Sequence, residues 1–486
     1  MLQPFSRGIL RHRLCCGPTQ HHHRTRSIIP QIARVVGFFS SGVRKDSLFD
    51  HATVSCLPGL EPVLSTELRM LGIQHHVPPP LSRRKKNTGE IKLHKVCTTN
   101  DLFRCCLYLG TATQVHWRCK SFTSRGLPEL KRKIVSLPWS EILNPDSIKN
   151  GTLDVRVVSS KSKLYHTGAI RDRVLQGIDQ HFGNDEDHYN QEERQQRCAE
   201  TFPTVLLNVN VLRDEVQLSI NAYPITLHQR GYREQVAKAP LREDLAFAML
   251  FMGGWTPAWS LDDEQTTGDE WQGLMDPFCG SGTIAIEGAA MMLGLPPGRL
   301  RHSSPFEGTL LEDTKKWSKL IRKSFATAEY RKQCDDKTSV SILASDRDAG
   351  AVEATTANAE RAGVLQALTI QKGALFGQRW FEQPSESPSS LLVVTNPPFG
   401  KRISSNSSSK GVLPLYQSLG HFIERLARKH ARKACGVVLT SNPSLVTRSG
   451  LSIPFKTSFK TFHGGLKVSA MKFDTSNLEQ SKIAKL

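Results

Sequence analysis

No stretch of this sequence stays apolar for the roughly 18 residues that a bilayer-spanning helix needs, so nothing in it reads as a transmembrane segment. Nor does any C-x-x-C occur. The 11 cysteines are odd in number and scattered, with Cys15-Cys16 and Cys105-Cys106 merely adjacent. That pattern argues against a zinc site or any other metal site and against a disulfide framework, and for a reducing compartment. Acid is missing from the start: Met1–Lys45 holds seven Arg and one Lys but no Asp or Glu. An Arg-rich, Ser-containing, acid-free N-terminus reads as an organellar transit peptide. Gly37-Phe38-Phe39-Ser40-Ser41 would suit its cleavage region. The mitochondrion is expected, with the plastid as the alternative and a basic RNA-binding tail as the plainer reading.

What is present is 486 residues, 38% hydrophobic, with a mean hydropathy of −0.34, which describes a soluble chain of two or three domains. The formal net charge is +19; without the eight leader cations it is 19 − 8 = +11. Such a surplus suggests a polyanionic partner, most simply nucleic acid. The expected organisation is a leader over 1–45, an α+β RNA-binding unit over 46–225, a Rossmann-like α/β domain over 226–475 and a tail over 476–486.

The α/β domain is organised around Gly273–Ala289. A short apolar lead-in, Leu274-Met275, runs into Asp276-Pro277 and a tight Cys279-Gly280-Ser281-Gly282 turn, and a helix opens at Thr283. Strand, glycine turn and helix present a nucleotide-like ligand at the carboxyl edge of a doubly wound sheet. Gly280-x-Gly282-x-x-Ala285 also satisfies a loose dinucleotide fingerprint. A carboxylate at Asp276 would repel a pyrophosphate, yet it suits the ammonium group of S-adenosylmethionine (SAM). Ser341–Ala344 is a second sheet strand ending in Asp346-Arg347-Asp348, where a carboxylate can accept ribose hydroxyls; Asp346 is the candidate. It lies sixty-four positions beyond Gly282, far from the ~20 of a dinucleotide fold. The candidate cofactor set is Asp276, Phe278, Cys279, Gly280, Gly282, Thr283, Asp346, Arg347 and Leu241, with Cys279 a small spacer rather than a nucleophile.

The second anchor is an apolar strand, Leu391–Val394, that ends in Asn396-Pro397-Pro398-Phe399-Gly400. This pattern suits methyl transfer to a planar exocyclic amine, whose lone pair is delocalised into the ring. The Asn396 side-chain oxygen and the Pro397 carbonyl can accept its two N–H bonds and aim the lone pair at a methyl donor. The two prolines, Pro397 and Pro398, hold these acceptors rigid, and Phe399 offers a stacking face to a flipped-out base.

Before this domain, strands are expected at Thr53–Cys56, Lys92–Val96, Thr113–Trp117, Thr152–Val158, Thr204–Val211 and Glu215–Ala222, the last two joined by an Arg213-Asp214 turn. Helices are expected from Gly59 to Leu71, over Asn100–Leu109 and up to Gln180. Arg83-Arg84-Lys85-Lys86 sits in a Pro-rich loop. Lys161, Lys163, Tyr165, His166 and Arg171 form a basic, aromatic-bearing strand-to-helix junction suited to RNA. Arg230, Arg233, Lys401 and Arg402 complete the RNA-facing candidates. Pro296–Lys337 reads as polar and helical, and Phe459–Phe473 as a final hairpin.

With these residues in view, the chain resembles the bacterial THUMP-domain 23S rRNA guanine-N2 methyltransferases. DPFCGSGTIAIEGA, RGYRxxxxKAPLREDLA, SDRD, NPPFGKR and LYQSLG are similar to that family's motifs, and KSKLYHTGAIRDRVLQGI to its THUMP segment. The likeness runs from about His51 to Phe473, short of the second methyltransferase domain that bacterial members can carry. It implies a ferredoxin-like plus THUMP module, a SAM domain, and N2-methylguanosine in RNA as product; tRNA, or a role as an RNA-binding assembly factor, remain alternatives. One position departs: the family's acid after the third sheet strand is Gly373 here, which leaves backbone groups to hold the adenine.

Overall fold

The computed structural model describes residues 49–77, 88–95, 97–119, 121–183, 204–234, 240–260, 271–334, 340–375, 388–399, 412–429, 433–448 and 455–475. They belong to one compact unit, Lys45–Leu486. The leader, the Arg83–Lys86 run, Lys401, Arg402 and the tail lie outside the described residues.

The first half runs β1 (Phe49–Cys56), α1 (Glu61–Met70), β2 (Glu90–Lys92), α2 (Thr99–Tyr108), β3 (Ala112–Cys119), β4 (Phe122–Thr123), α3 (Leu127–Val135), α4 (Pro145–Lys149), β5 (Leu153–Ser160), α5 (Thr167–His181), β6 (Val205–Leu212) and β7 (Glu215–Asn221). The sheet order is β2-β1-β3-β7-β6-β5, with β4 on β7; β5 and β6 are parallel and the other pairs antiparallel. Arg213 and Asp214 both take positive φ, 53° and 66°, the geometry that a two-residue hairpin loop needs to match strand twist. Two expectations shift here. β2 covers Glu90–Lys92 instead of Lys92–Val96, because the pairing Val54↔Ile91 puts Ile91 in the core. Helix α3, which the sequence reading did not mark, packs its Leu130 and Ile134 inward.

The second half runs α6 (Glu243–Gly253), β8 (Gly273–Asp276), α7 (Thr283–Met292), α8 (Thr314–Cys334), β9 (Ser341–Asp346), α9 (Ala349–Arg361), β10 (Leu368–Lys372), β11 (Ser390–Thr395), α10 (Leu413–Lys429), β12 (Lys433–Thr440), α11 (Pro443–Thr447), β13 (Lys456–His463) and β14 (Leu466–Asp474). The order is β10-β9-β8-β11-β12-β14-β13, parallel from β10 to β12, with β14 antiparallel to both neighbours. The chain winds outward from β8 to β10 and then returns to β11 on the far side of β8. The carboxyl ends of β8 and β11 are therefore the topological switch point, where doubly wound sheets bind ligands. Helix α7 is apolar nearly all round and buried from Thr283 to Met291, as a helix covered on every side must be.

The expected helix from Pro296 begins only at Thr314. The residues before it are held in turns by two buried arginines: Arg299 donates to Ala362 O, and Arg301 donates to Cys106 O and Leu227 O. Burial pushes the Arg301 guanidinium down to about 10. One apolar core runs without a break from Ala52 in the first half to Ala470 in the second. At the join, Gly110 lies flat against the Phe247 ring, where a Cβ would come within 2.3 Å of it.

Candidate functional site

Strands β8 and β11 pair as Leu391↔Gly273 and Val393↔Met275, so Asp276 and Asn396 lie at the carboxyl ends of neighbouring strands, with Asn396 two positions further along the register. Asp276 is 1% exposed. Its Oδ1 accepts from Thr395 Oγ1 at 2.8 Å and from the Phe278 N–H at 3.2 Å. Its Oδ2 is buried and has no partner, and the same is true of Asn396 Oδ1. Burial pushes the Asp276 carboxyl up to about 7; the bonds from Thr395 and Phe278 pull the other way, and Asp346 adds to the rise. A buried acceptor without a donor costs about 1–3 kcal/mol. Two of them on neighbouring strand ends could accept donors from a ligand.

Asp346 ends β9 half-buried. Its Oδ2 accepts from the Gly280 N–H and its Oδ1 from the Asp348 N–H, both at 3.0 Å, so the carboxylate is held firmly against the glycine turn. Arg347 is exposed. The turn itself needs Gly282: its φ is +83°, and a Cβ there would meet Thr355 Cγ2 at 2.6 Å. Helix α9 presses that closely because Thr355 Oγ1 donates to Gly280 O at 2.9 Å and Asn358 Nδ2 donates to Ser281 O at 3.0 Å. Asn358 thus positions the turn. Thr355 and Thr395 carried no motif signal, since their roles depend on contacts across elements. Cys279 is buried, and burial raises its thiol far above the usual range. Phe278 is half-buried.

The floor of the site is tied together by Arg233. Its guanidinium donates to Leu241 O at 2.6 Å and to Thr283 Oγ1 at 2.9 Å, and it pairs with Glu243 at 3.2 Å. Arg233 and Arg230 were expected to face RNA, and the structure corrects both. Arg230 is 1% exposed, donating to Leu227 O and Gly110 O and lying 3.7 Å from Glu287. The physical reason is Glu287, a carboxylate buried on apolar α7, which also accepts from Tyr232 Oη at 3.0 Å. A single acid inside TIAIEGAAMM was the available signal that a cation must be buried beside it.

The other basic candidates divide. Lys161, Lys163, Tyr165 and His166 are exposed, with the Tyr165 and His166 rings 4.2 Å apart. Arg171 is half-buried and pairs with Asp154 at 3.2 Å. Among the catalytic candidates, Pro397 is buried, Pro398 is exposed, and Phe399 lies half-buried against the core. Gly373 donates its N–H to Asp346 O at 2.9 Å, so that donor is not free to hold an adenine. No group of residues suited to a metal ion occurs among the described residues, and no helix among them is long and apolar enough to cross a membrane.

Residues 230–467 match the family model described as the RMKL-like, methyltransferase domain. A ribosomal RNA large subunit methyltransferase K/L from Syntrophotalea carbinolica is 29% identical over 418 residues, covering 86% of this chain and 52% of the relative. The chain thus spans about half the length of the curated relatives it matches. Among solved structures, a possible methylase from Clostridium difficile 630 aligns with a TM-score of 0.65 at 24% identity, over 87% of this chain and 97% of that one. Another, solved in complex with SAH, aligns with a TM-score of 0.66 at 22% identity, over 88% and 98%. These two likenesses establish the fold, a Rossmann-like α/β domain joined to an α+β first half.

Proposed function

We propose, from the premise that residues 230–467 form an RMKL-like methyltransferase domain, that this chain is a SAM-dependent RNA methyltransferase making N2-methylguanosine. Its expected substrate is the large-subunit rRNA of an organelle, the mitochondrion in preference to the plastid. The observation that carries this reading is the pair of partnerless buried acceptors, Asp276 Oδ2 and Asn396 Oδ1.

SAM fits the first of them. A buried carboxyl oxygen with no protein donor is what a ligand ammonium requires, since the cation offsets the burial that resists its ionisation. Asp346, oriented by Gly280 and Asp348, keeps lone pairs for ribose hydroxyls. SAM supplies an electrophilic methyl group; the chain's own residues do the rest. Asn396 Oδ1 and the Pro397 carbonyl accept the two N–H bonds of the guanine amine, which draws its lone pair out of the ring. Phe399 provides the face against which the base is held. No strong general base is needed, because the methylated nitrogen becomes acidic and sheds its proton to water. The RNA is gripped by a ferredoxin-like plus THUMP first half, with Lys161, Lys163, Tyr165 and His166 exposed for that purpose.

The test is nucleoside mass spectrometry of organellar rRNA and tRNA from cells with and without the gene. Loss of N2-methylguanosine from large-subunit rRNA is expected. Loss from tRNA alone moves the substrate, and no change in any methylated nucleoside refutes the catalytic reading in favour of an RNA-binding assembly factor. For localisation, Met1–Lys45 fused to a fluorescent protein is expected to enter mitochondria; a cytosolic fusion refutes that part.

A further inference from the structure

A cleft of about 580 Å³ lies between α2 and α8, away from the motifs used so far. One wall is a face of α8. Lys316, Lys319 and Lys323 recur there at helical spacing, and all three line the cleft. The helix TKKWSKLIRKSFATAEYRKQC carries seven Lys or Arg against one Glu, a density of like charge that weakens an isolated helix. It is pinned by Trp317, 2% exposed, whose ring meets Phe103 edge-on at 6.1 Å. No ion pair engages Lys316, Lys319 or Lys323 among the described residues.

The opposite wall is built differently. Arg104 is fixed there, donating to Leu71 O at 2.6 Å and lying 3.5 Å from Asp101. Tyr108 and Trp259 complete it, their half-buried rings 6.5 Å apart, and Trp259 is backed by the Phe247 ring at 6.2 Å. A row of unpaired lysines facing two supported aromatic rings is the composition that holds single-stranded nucleic acid: cations on the phosphates and π-faces under the bases. An acidic protein surface would use the lysines and leave the rings without purpose. The volume falls within the ~300–1,000 Å³ of small-ligand clefts, which is room for a nucleotide rather than a duplex.

We infer that this cleft is a second RNA-docking site, which holds an unpaired segment of the substrate apart from the base being modified. The inference rests on the RNA-modifying reading above for the identity of the physiological RNA, while the cleft's affinity can be measured without any catalysis.

The experiment uses the full chain and a fluorescent oligouridine, with binding followed by anisotropy as salt is raised. In K316Q/K319Q/K323Q the affinity is expected to fall roughly tenfold. The slope of log K against log salt is expected to become shallower by about 2, from ~0.7 per single-strand phosphate contact over three lysines. Y108L is expected to weaken binding with the slope unchanged. Unchanged affinity and slope in the lysine variant overturn the inference. So does polyglutamate that displaces the oligouridine as well as RNA of equal charge, which would point to an acidic protein partner. If the triple variant folds poorly, K319Q and K323Q, at exposed positions, each report a slope change of about 0.7. Altered slopes without N2-methylguanosine formation would keep the cleft and refute the proposed chemistry; the reverse would keep the chemistry and refute the cleft.

Discussion

Replacing Gly282 by alanine puts a methyl group where two constraints meet. The residue has φ +83°, a region that costs an L-residue about 1–2 kcal/mol. Its new Cβ would also sit 2.6 Å from Thr355 Cγ2, and forcing an added methyl into a packed site costs about 1–3 kcal/mol. Together G282A is expected to cost about 2–5 kcal/mol, unless α9 retreats. Retreat would break the bonds from Thr355 to Gly280 O and from Asn358 to Ser281 O and so deform the turn beside Asp276 and Asp346. The two parts can be separated with T355S, which removes Cγ2 but retains the hydroxyl that donates to Gly280. In the double variant the overlap is largely relieved and the backbone strain remains, so roughly half of the loss should return. Thermal melting reports the stability, and calorimetry with SAM reports whether the turn still binds. G282A melting and binding like the native chain, or T355S restoring nothing in its presence, would refute the account of the turn.

Three further outcomes follow from the same geometry. Asp276 has its carboxyl raised from 3.8 to about 7 by burial, so the folded chain resists ionising it; the resulting instability grows as pH rises from about 4 and levels off above about 7. D276N should therefore gain stability over the native chain across that window, measured by melting against pH, while losing SAM binding; a pH-independent difference would contradict the assignment. Asn396→Ala should reduce kcat by about 10²–10³, the usual loss of one preorganised polar group, with SAM affinity unaltered; full activity would refute its role on the amine. Arg230→Met should lower stability by about 3–5 kcal/mol by leaving Glu287 buried without its cation, yet leave the salt slope of RNA binding as it was. A shallower slope would return Arg230 to the RNA-facing set.

The ends of β8 and β11, the glycine turn and the order of elements around them were legible because each is local. Apolar run, special turn and helix opening follow one another in sequence, and glycine and proline announce turn geometry without reference to the rest of the chain. Asp276, Asp346 and Asn396 could be picked out for the same reason, each being a polar residue that ends an apolar strand. The misread residues depend on partners distant in the sequence. Arg230 and Arg233 look like surface cations until Glu287 and Glu243 are seen beside them, 57 and 10 positions onward. Arg299 and Arg301 look like part of a polar helix until their guanidinium groups meet the carbonyls of Ala362, Cys106 and Leu227. Charge is a property of the residue, but its solvation is a property of the fold.

The amino-acid sequence by itself determined the chemistry offered at the edge of the second sheet, because backbone rigidity and hydrogen-bonding capacity are encoded residue by residue. Only the tertiary structure decided which acceptors stay unpaired, which arginines are interior struts, and that α2 and α8 face each other across a cationic, aromatic cleft. Those outcomes depend on which distant segments come to share a desolvated space, and that is settled by the packing of the whole chain.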